Sequence, residues 1–119
     1  MATKAEVRNT AAGMLGRRRL GQAITNDLKT RLDEAYNYVY ADIKDEGLNT
    51  WASTGAIPDE VAPMVSALMA YNATNDVGVS KERYARIVAV TGLDGERAMQ
   101  KIRRKTTPDW ESLDEPEDF

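Results

Sequence analysis

The chain has 119 residues, enough for one domain with a modest core, and it carries a net charge of −3 with no cysteine and no histidine. Disulfides, thiol nucleophiles, thiolate metal sites and the usual acid–base group of neutral pH are thereby excluded; most common catalytic constellations go with them, while a carboxylate-only site stays open. No apolar run is long enough to cross a membrane, and the start, MATKAEVRNT, lacks the apolar core of a secretory signal, so export by that route is not expected.

The first predicted helix runs from Lys4 to Leu15. Thr3 and Glu6 stand at capping-box spacing, and Val7, Ala11, Met14 and Leu15 make the apolar stripe. Gly16 is a suitable stop. The next stretch, GRRRLGQAIT, reads as a loop in which two glycines bracket Arg17, Arg18 and Arg19. Two readings stand: an exposed solubilising turn, or a contact for phosphates or an acidic partner surface.

The chain is organised around the stretch that follows, TNDLKTRLDEAYNYVYADIKDEGLNTW, residues 25–51. Leu28, Leu32, Ala35, Val39 and Ile43 recur at helical spacing. Thr25 or Asn26 can cap the start, and Gly47 ends the helix. A helix of roughly 20 residues spans about 30 Å, so this one is expected to serve as the central strut. Tyr36 and Tyr40 fall beside the apolar stripe, which predicts core packing. Tyr38 points elsewhere and is the candidate for contact with another chain. Asp42, Asp45 and Glu46 crowd the last turn against the helix dipole, which predicts a compensating basic partner within the chain or in a neighbour. Trp51 reads first as a core plug and second as a binding anchor.

A third helix is predicted to start near Pro58, its regular part nearer Ala62 because Pro63 is tolerated only in the first turn. Val61, Met64, Val65, Leu68 and Met69, with Ala67, Ala70 and Ala73, make it the most hydrophobic helix. It should be the most buried and should end near Asp76. Ser80 caps a fourth helix on which Tyr84, Val88, Thr91, Gly95, Ala98 and Ile102 keep one phase, predicting a single bent helix despite Gly92 and Gly95. Arg97, Lys101, Arg103, Arg104 and Lys105 make its end basic. The fold class expected is all-α: a small four-helix bundle over residues 1–105, with residues 106–119 as an acidic, extended tail. Alone that tail, TTPDWESLDEPEDF, is expected to be extended or disordered. Trp110, Leu113 and Phe119 are then either anchors that order on a partner or part of a tail without a role.

Charge is segregated along the chain. Residues 1–32 carry seven Lys/Arg against two Asp/Glu, residues 33–82 two against nine, residues 83–105 seven against two, and residues 106–119 none against six. Blocks of alternating sign suit contacts between copies, although solvated helix faces would give the same pattern. Neighbouring carboxylates such as Asp45/Glu46 and Asp59/Glu60 point in different directions on a helix, so neither pair is placed for acid–base work. A helix-turn-helix over residues 80–105 would explain the basic second half, but the preserved phase predicts no sharp bend, and an acidic chain is a poor free DNA binder.

The order of these features, with AAGMLG, LDEAYNYVYADIKDEGLNTW, IPDEVAPMVSALMAYNATNDVGV and SKERYARIVAVTGLDGERAMQKIRR at its successive stations, resembles the head-to-tail adaptor proteins of tailed bacteriophages. These are also called connector or packaged-DNA stabilisation proteins. The resemblance spans Thr3 to Lys105. It implies a virion protein of the head–tail junction, made in the host cytoplasm. Several copies, typically twelve, would form a ring below the portal that extends the DNA channel, helps retain packaged DNA and docks tail proteins. It implies no catalysis, cofactor, metal or membrane, and no sequence-specific DNA binding. Arg17, Arg18, Arg19, Tyr38, Arg103, Arg104, Trp110, Leu113 and Phe119 would contact the portal or a neighbouring subunit. The alternative is a small DNA-binding or packaging factor of the terminase small-subunit kind. A carboxylate-dependent hydrolase is the third reading.

Overall fold

A computed structural model describes residues 1–17 and 24–106, except for the side chain of Asp76. The described residues are all-helical. In order they are α1 (Lys4–Met14), α2 (Asn26–Asp45), α3 (Ala62–Val77), α4 (Lys81–Thr91), a 3-10 turn (Leu93–Gly95) and α5 (Glu96–Thr106). The only extended pairing among them is an isolated antiparallel bridge between Ala2 and Ile57.

Local sequence chemistry accounts for most helix starts. The capping box of α1 is complete, with Glu6 N donating to Thr3 Oγ1 at 3.1 Å and Thr3 N donating to Glu6 Oε1 at 3.0 Å. Thr25, not Asn26, caps α2, accepting from Leu28 N at 3.3 Å. Ser80 caps α4, accepting from Arg83 N at 3.2 Å. α3 has no side-chain cap. Pro63 sits within its first turn, where its missing N–H costs nothing, and Pro58 O takes the amides of Val61 and Ala62 just before it.

The hub is α3, not α2. α3 packs against each of the other four helices, whereas the main neighbours of α2 are α1 and α3. Length alone therefore misjudged the strut. The deciding property is an apolar surface on every side: residues 65–70 are buried without interruption, as are Ala73 and Thr74. α2 buries one stripe only, through Leu28, Leu32, Ala35, Tyr36, Val39 and Ile43.

The expected single bent helix over 81–104 is two helices. Gly92, Asp94 and Gly95 all have positive φ, at 78°, 57° and 76°, and no α-helix passes through three such residues. Two of these positions are glycines for steric reasons. A Cβ on Gly92 would lie 2.8 Å from Arg97 N, and one on Gly95 would lie 2.7 Å from Leu68 Cδ2. In α4 the phase holds at Thr91, which is buried, and at Val88, which is half-buried, but Tyr84 is 41% exposed and Ile87, off the predicted stripe, is buried instead. Gly95, Ala98 and Ile102 are buried as the periodicity predicts.

Candidate interaction surface

The aromatic residues of α2 divide by face. Trp51, from the loop after the helix, folds back under it and is buried. Its Nε1 donates to Tyr36 Oη at 3.1 Å, and its carbonyl accepts from Tyr40 Oη at 2.6 Å. Tyr40 Oη also accepts from Asn49 Nδ2 at 3.3 Å, and its ring meets Trp51 edge-on, with centroids 5.7 Å apart. Burial raises the Tyr36 pKa, against the lowering effect of the Trp51 hydrogen bond. Trp51 is thus the core plug. Tyr38, two positions from each of these tyrosines, is 69% exposed.

Around Tyr38 the outer face of α2 is acidic from Glu34 onward, with the exposed Arg31 one turn before Glu34 on the same side. Glu34, Asp42 and Asp45 stand four and seven positions from it, so they share its side of the helix, and all are exposed. Among the described residues none of these three carboxylates takes an ion pair. Other acids are used internally. Asp33 accepts from Arg8 Nη1 of α1 at 3.1 Å, and Glu46 pairs with Arg103 of α5, whose Nε lies 3.2 Å from Glu46 Oε1. Arg103 thus supplies a basic partner, from within the chain, to the crowded end of α2.

The outer face of α5 is the converse. Ala98 and Ile102 seat the helix, Arg97, Lys101 and Arg104 share one flank of it at steps of four and three, and Lys105 follows one turn beyond Lys101 at the helix end; all four are exposed. Among the described residues Lys101, Arg104 and Lys105 take no ion pair. Arg97 Nη1 donates to Ala89 O, capping the end of α4 at 2.9 Å. Arg17 and Arg83 do the same elsewhere. Arg17 Nη2 donates to Val77 O at 2.7 Å and Gly78 O at 2.6 Å at the end of α3, and Arg83 Nη1 donates to Met14 O at 3.3 Å at the end of α1. These capping roles are invisible in a sequence because they depend on which helix ends meet.

Of the residues expected to contact partners, the structure therefore places Arg17 at the end of α3, Tyr38 on the acidic face of α2, and Arg103 and Arg104 on α5. It does not gather them into one patch. Arg18, Arg19, Trp110, Leu113 and Phe119 lie outside the described residues. Tyr84, stacked on Tyr71 with centroids 6.4 Å apart, has its pKa raised first by that neighbour's charge.

Among the described residues no three His, Cys, Asp or Glu side chains are grouped to hold a metal ion. No described helix is long and apolar enough to cross a membrane. A depression of about 290 Å³ between Arg17, Thr25, Asp27, Leu28, Arg31 and Val77 opens to solvent. No protein-family model, curated protein or solved structure matches the chain.

Proposed function

We propose that this chain is a structural subunit of the head–tail junction of a tailed bacteriophage. In this reading its helices form a bundle, residues 107–119 extend from it as an acidic tail, α5 having taken in Thr106, and the protein is not an enzyme. Copies form a ring, dodecameric by resemblance, below the portal. The ring extends the DNA channel, helps retain packaged DNA without reading its sequence, and docks tail proteins. The observation that carries the reading is the presence of two unlike charged faces on one small helical body. Identical subunits join head to tail through two different surfaces, and unlike charge makes such surfaces attract while like surfaces repel. Arg18, Arg19 and the apolar residues Trp110, Leu113 and Phe119 then serve the portal or a neighbouring subunit, while Arg17 is spent on the end of α3.

The test is assembly. Mixed with portal protein of a tailed phage, the chain is expected to add a second ring to the portal in electron micrographs. Failure to bind any portal offered would overturn the reading.

A second reading, a small DNA-binding or packaging factor, is favoured by one observation. The turn at residues 92–95 separates α4 from a basic α5, which removes the objection that no sharp bend exists there. In a gel shift without portal, that reading requires duplex binding that weakens steeply with salt.

A further inference from the structure

We infer that the outer faces of α2 and α5 are the two halves of one contact between successive copies of this chain, with Glu34, Tyr38, Asp42 and Asp45 of one copy lying along Arg97, Lys101, Arg104 and Lys105 of the next. The inference rests on the connector reading for its biological setting but stands on separate physical grounds.

The first ground is which charges are spare. Arg8, Arg17, Arg83 and Arg103 have acceptors within the molecule, and Asp33 and Glu46 have donors. The acids beside Tyr38 and the cations Lys101, Arg104 and Lys105 form no such pair among the described residues, and all are exposed. Arg97 gives one N–H to Ala89 O and keeps its charge and its remaining donors.

The second ground is register. Glu34 to Asp45 covers eleven positions and Arg97 to Lys105 eight, which correspond to about 16 Å and about 12 Å of helix. Both stripes repeat at three- and four-residue steps, so two such helices lying side by side bring carboxylates and cations opposite each other over two to three turns. The third ground is Tyr38. It sits between the carboxylates as an exposed ring, which is a favourable seat for an arginine arriving with its charge partly neutralised by them.

Pairing α2 with α2 would oppose the acids, and pairing α5 with α5 would oppose the cations, so the matching contact is α2 of one copy on α5 of another. Made once between two copies it leaves an unused α2 at one end and an unused α5 at the other and propagates, closing into a ring where the rotation allows; made reciprocally it closes a two-fold dimer. Native mass spectrometry separates the two, and a chain that stops at a dimer while giving the 41–100 product overturns the successive-copy arrangement. A duplex polyanion would satisfy α5 but leaves the acidic face of α2 without an explanation.

The absence of cysteine from the whole chain makes the test clean. Ala41 and Gln100 are exposed, at the edges of the two stripes. Ala41→Cys and Gln100→Cys are made separately, the far-UV spectra compared with the parent, and the two chains mixed with a short bis-maleimide. The mixture is expected to give a covalent 41–100 dimer at least about fivefold above the 41–41 and 100–100 products. At about 1 M salt, where the screening length is about 3 Å, that excess should vanish. Lys101→Glu with Arg104→Glu in the Gln100→Cys chain should abolish it. Adding Glu34→Lys with Asp42→Lys to the Ala41→Cys partner should restore it. Equal yields of all three dimers, or no rescue by the second reversal, overturns the inference. So does a basic stripe occupied instead by duplex DNA, seen as loss of the dimer on adding a short duplex together with a salt slope near −4 for duplex binding. Rings that still assemble on the portal without the 41–100 product would remove this contact while leaving the connector reading intact. A 41–100 product without binding to portal would do the reverse.

Discussion

The two sides of α2 use the same residue types for opposite ends. On the inner side Tyr36 and Tyr40 are spent on Trp51, their hydroxyls holding its indole N–H and its carbonyl. On the outer side Tyr38 is 69% exposed, and its hydroxyl has no hydrogen-bond partner among the described residues. Residue type therefore does not distinguish a structural from an interacting aromatic; its place relative to the apolar stripe does. The contrast makes a definite claim about separability: changes on the inner side should cost stability, and changes on the outer side should cost association alone.

The largest expected effect is on the inner side. Trp51→Ala removes a buried ring and leaves the Tyr36 hydroxyl without its donor, and is expected to cost about 3–5 kcal/mol. Urea unfolding followed by far-UV circular dichroism measures this. A loss below about 1 kcal/mol would mean that the loop after α2 does not depend on the plug. The next effect lies at the turn that aims α5. Gly95→Ala places a methyl 2.7 Å from Leu68 Cδ2 at a φ of 76°, so overpacking and left-handed backbone strain combine to about 2–3 kcal/mol. Gln100 should also lose its cross-link to Ala41 in that variant, since the basic stripe is turned with the helix.

Tyr36→Phe is a finer probe of the inner side. It leaves the Trp51 indole N–H buried without an acceptor, at about 1–2 kcal/mol. It also has a pH signature. Burial raises the folded-state pKa of Tyr36 above its unfolded value. The folded chain therefore holds this proton more tightly, and the associated stability is complete below the unfolded pKa near 10 and is lost as pH rises through the folded value. Thermal midpoints of the parent should fall above about pH 10 and those of Tyr36→Phe should fall less. Parallel declines would place the hydroxyl in water.

Much of the fold was legible because it is written in local chemistry. The Thr3–Glu6 box, the Thr25 and Ser80 caps, the start of α3 at Ala62 and the buried stripe of α2 all depend on residues within one or two turns of each other. What was not legible depends on distant parts meeting. The periodicity over 84–102 held in α5 and at Thr91 but not at Tyr84, because three residues of positive φ at 92–95 break the helix and free its first half from the phase of the second. The role of α3 as hub followed from an apolar surface on every side rather than from length. The assignment of Arg17, Arg83 and Arg97 to helix ends required knowing which ends adjoin. The candidate surface was half legible. Tyr38 and the basic end of α5 could be named from the sequence, but the difference between a spare charge and one already paired, as Lys101 differs from Arg103, exists only in three dimensions.

The smallest expected change in stability is the one that bears hardest on the comparison. Tyr38→Ala alters an exposed ring without internal hydrogen bonds, so unfolding should shift by no more than about 0.5 kcal/mol. On the same helix, two residues from two tyrosines tied to Trp51, such indifference has a direct meaning: the ring is not held for the fold. If it is held for contact, the variant should lower the yield of the 41–100 cross-link several-fold at unchanged stability, with Tyr38→Phe retaining most of it because the aromatic face, not the hydroxyl, receives the cation. A Tyr38→Ala chain that unfolds as easily as Tyr36→Phe would place the ring on the inner side after all. One that cross-links as well as the parent would leave the carboxylates as the whole of the acidic face.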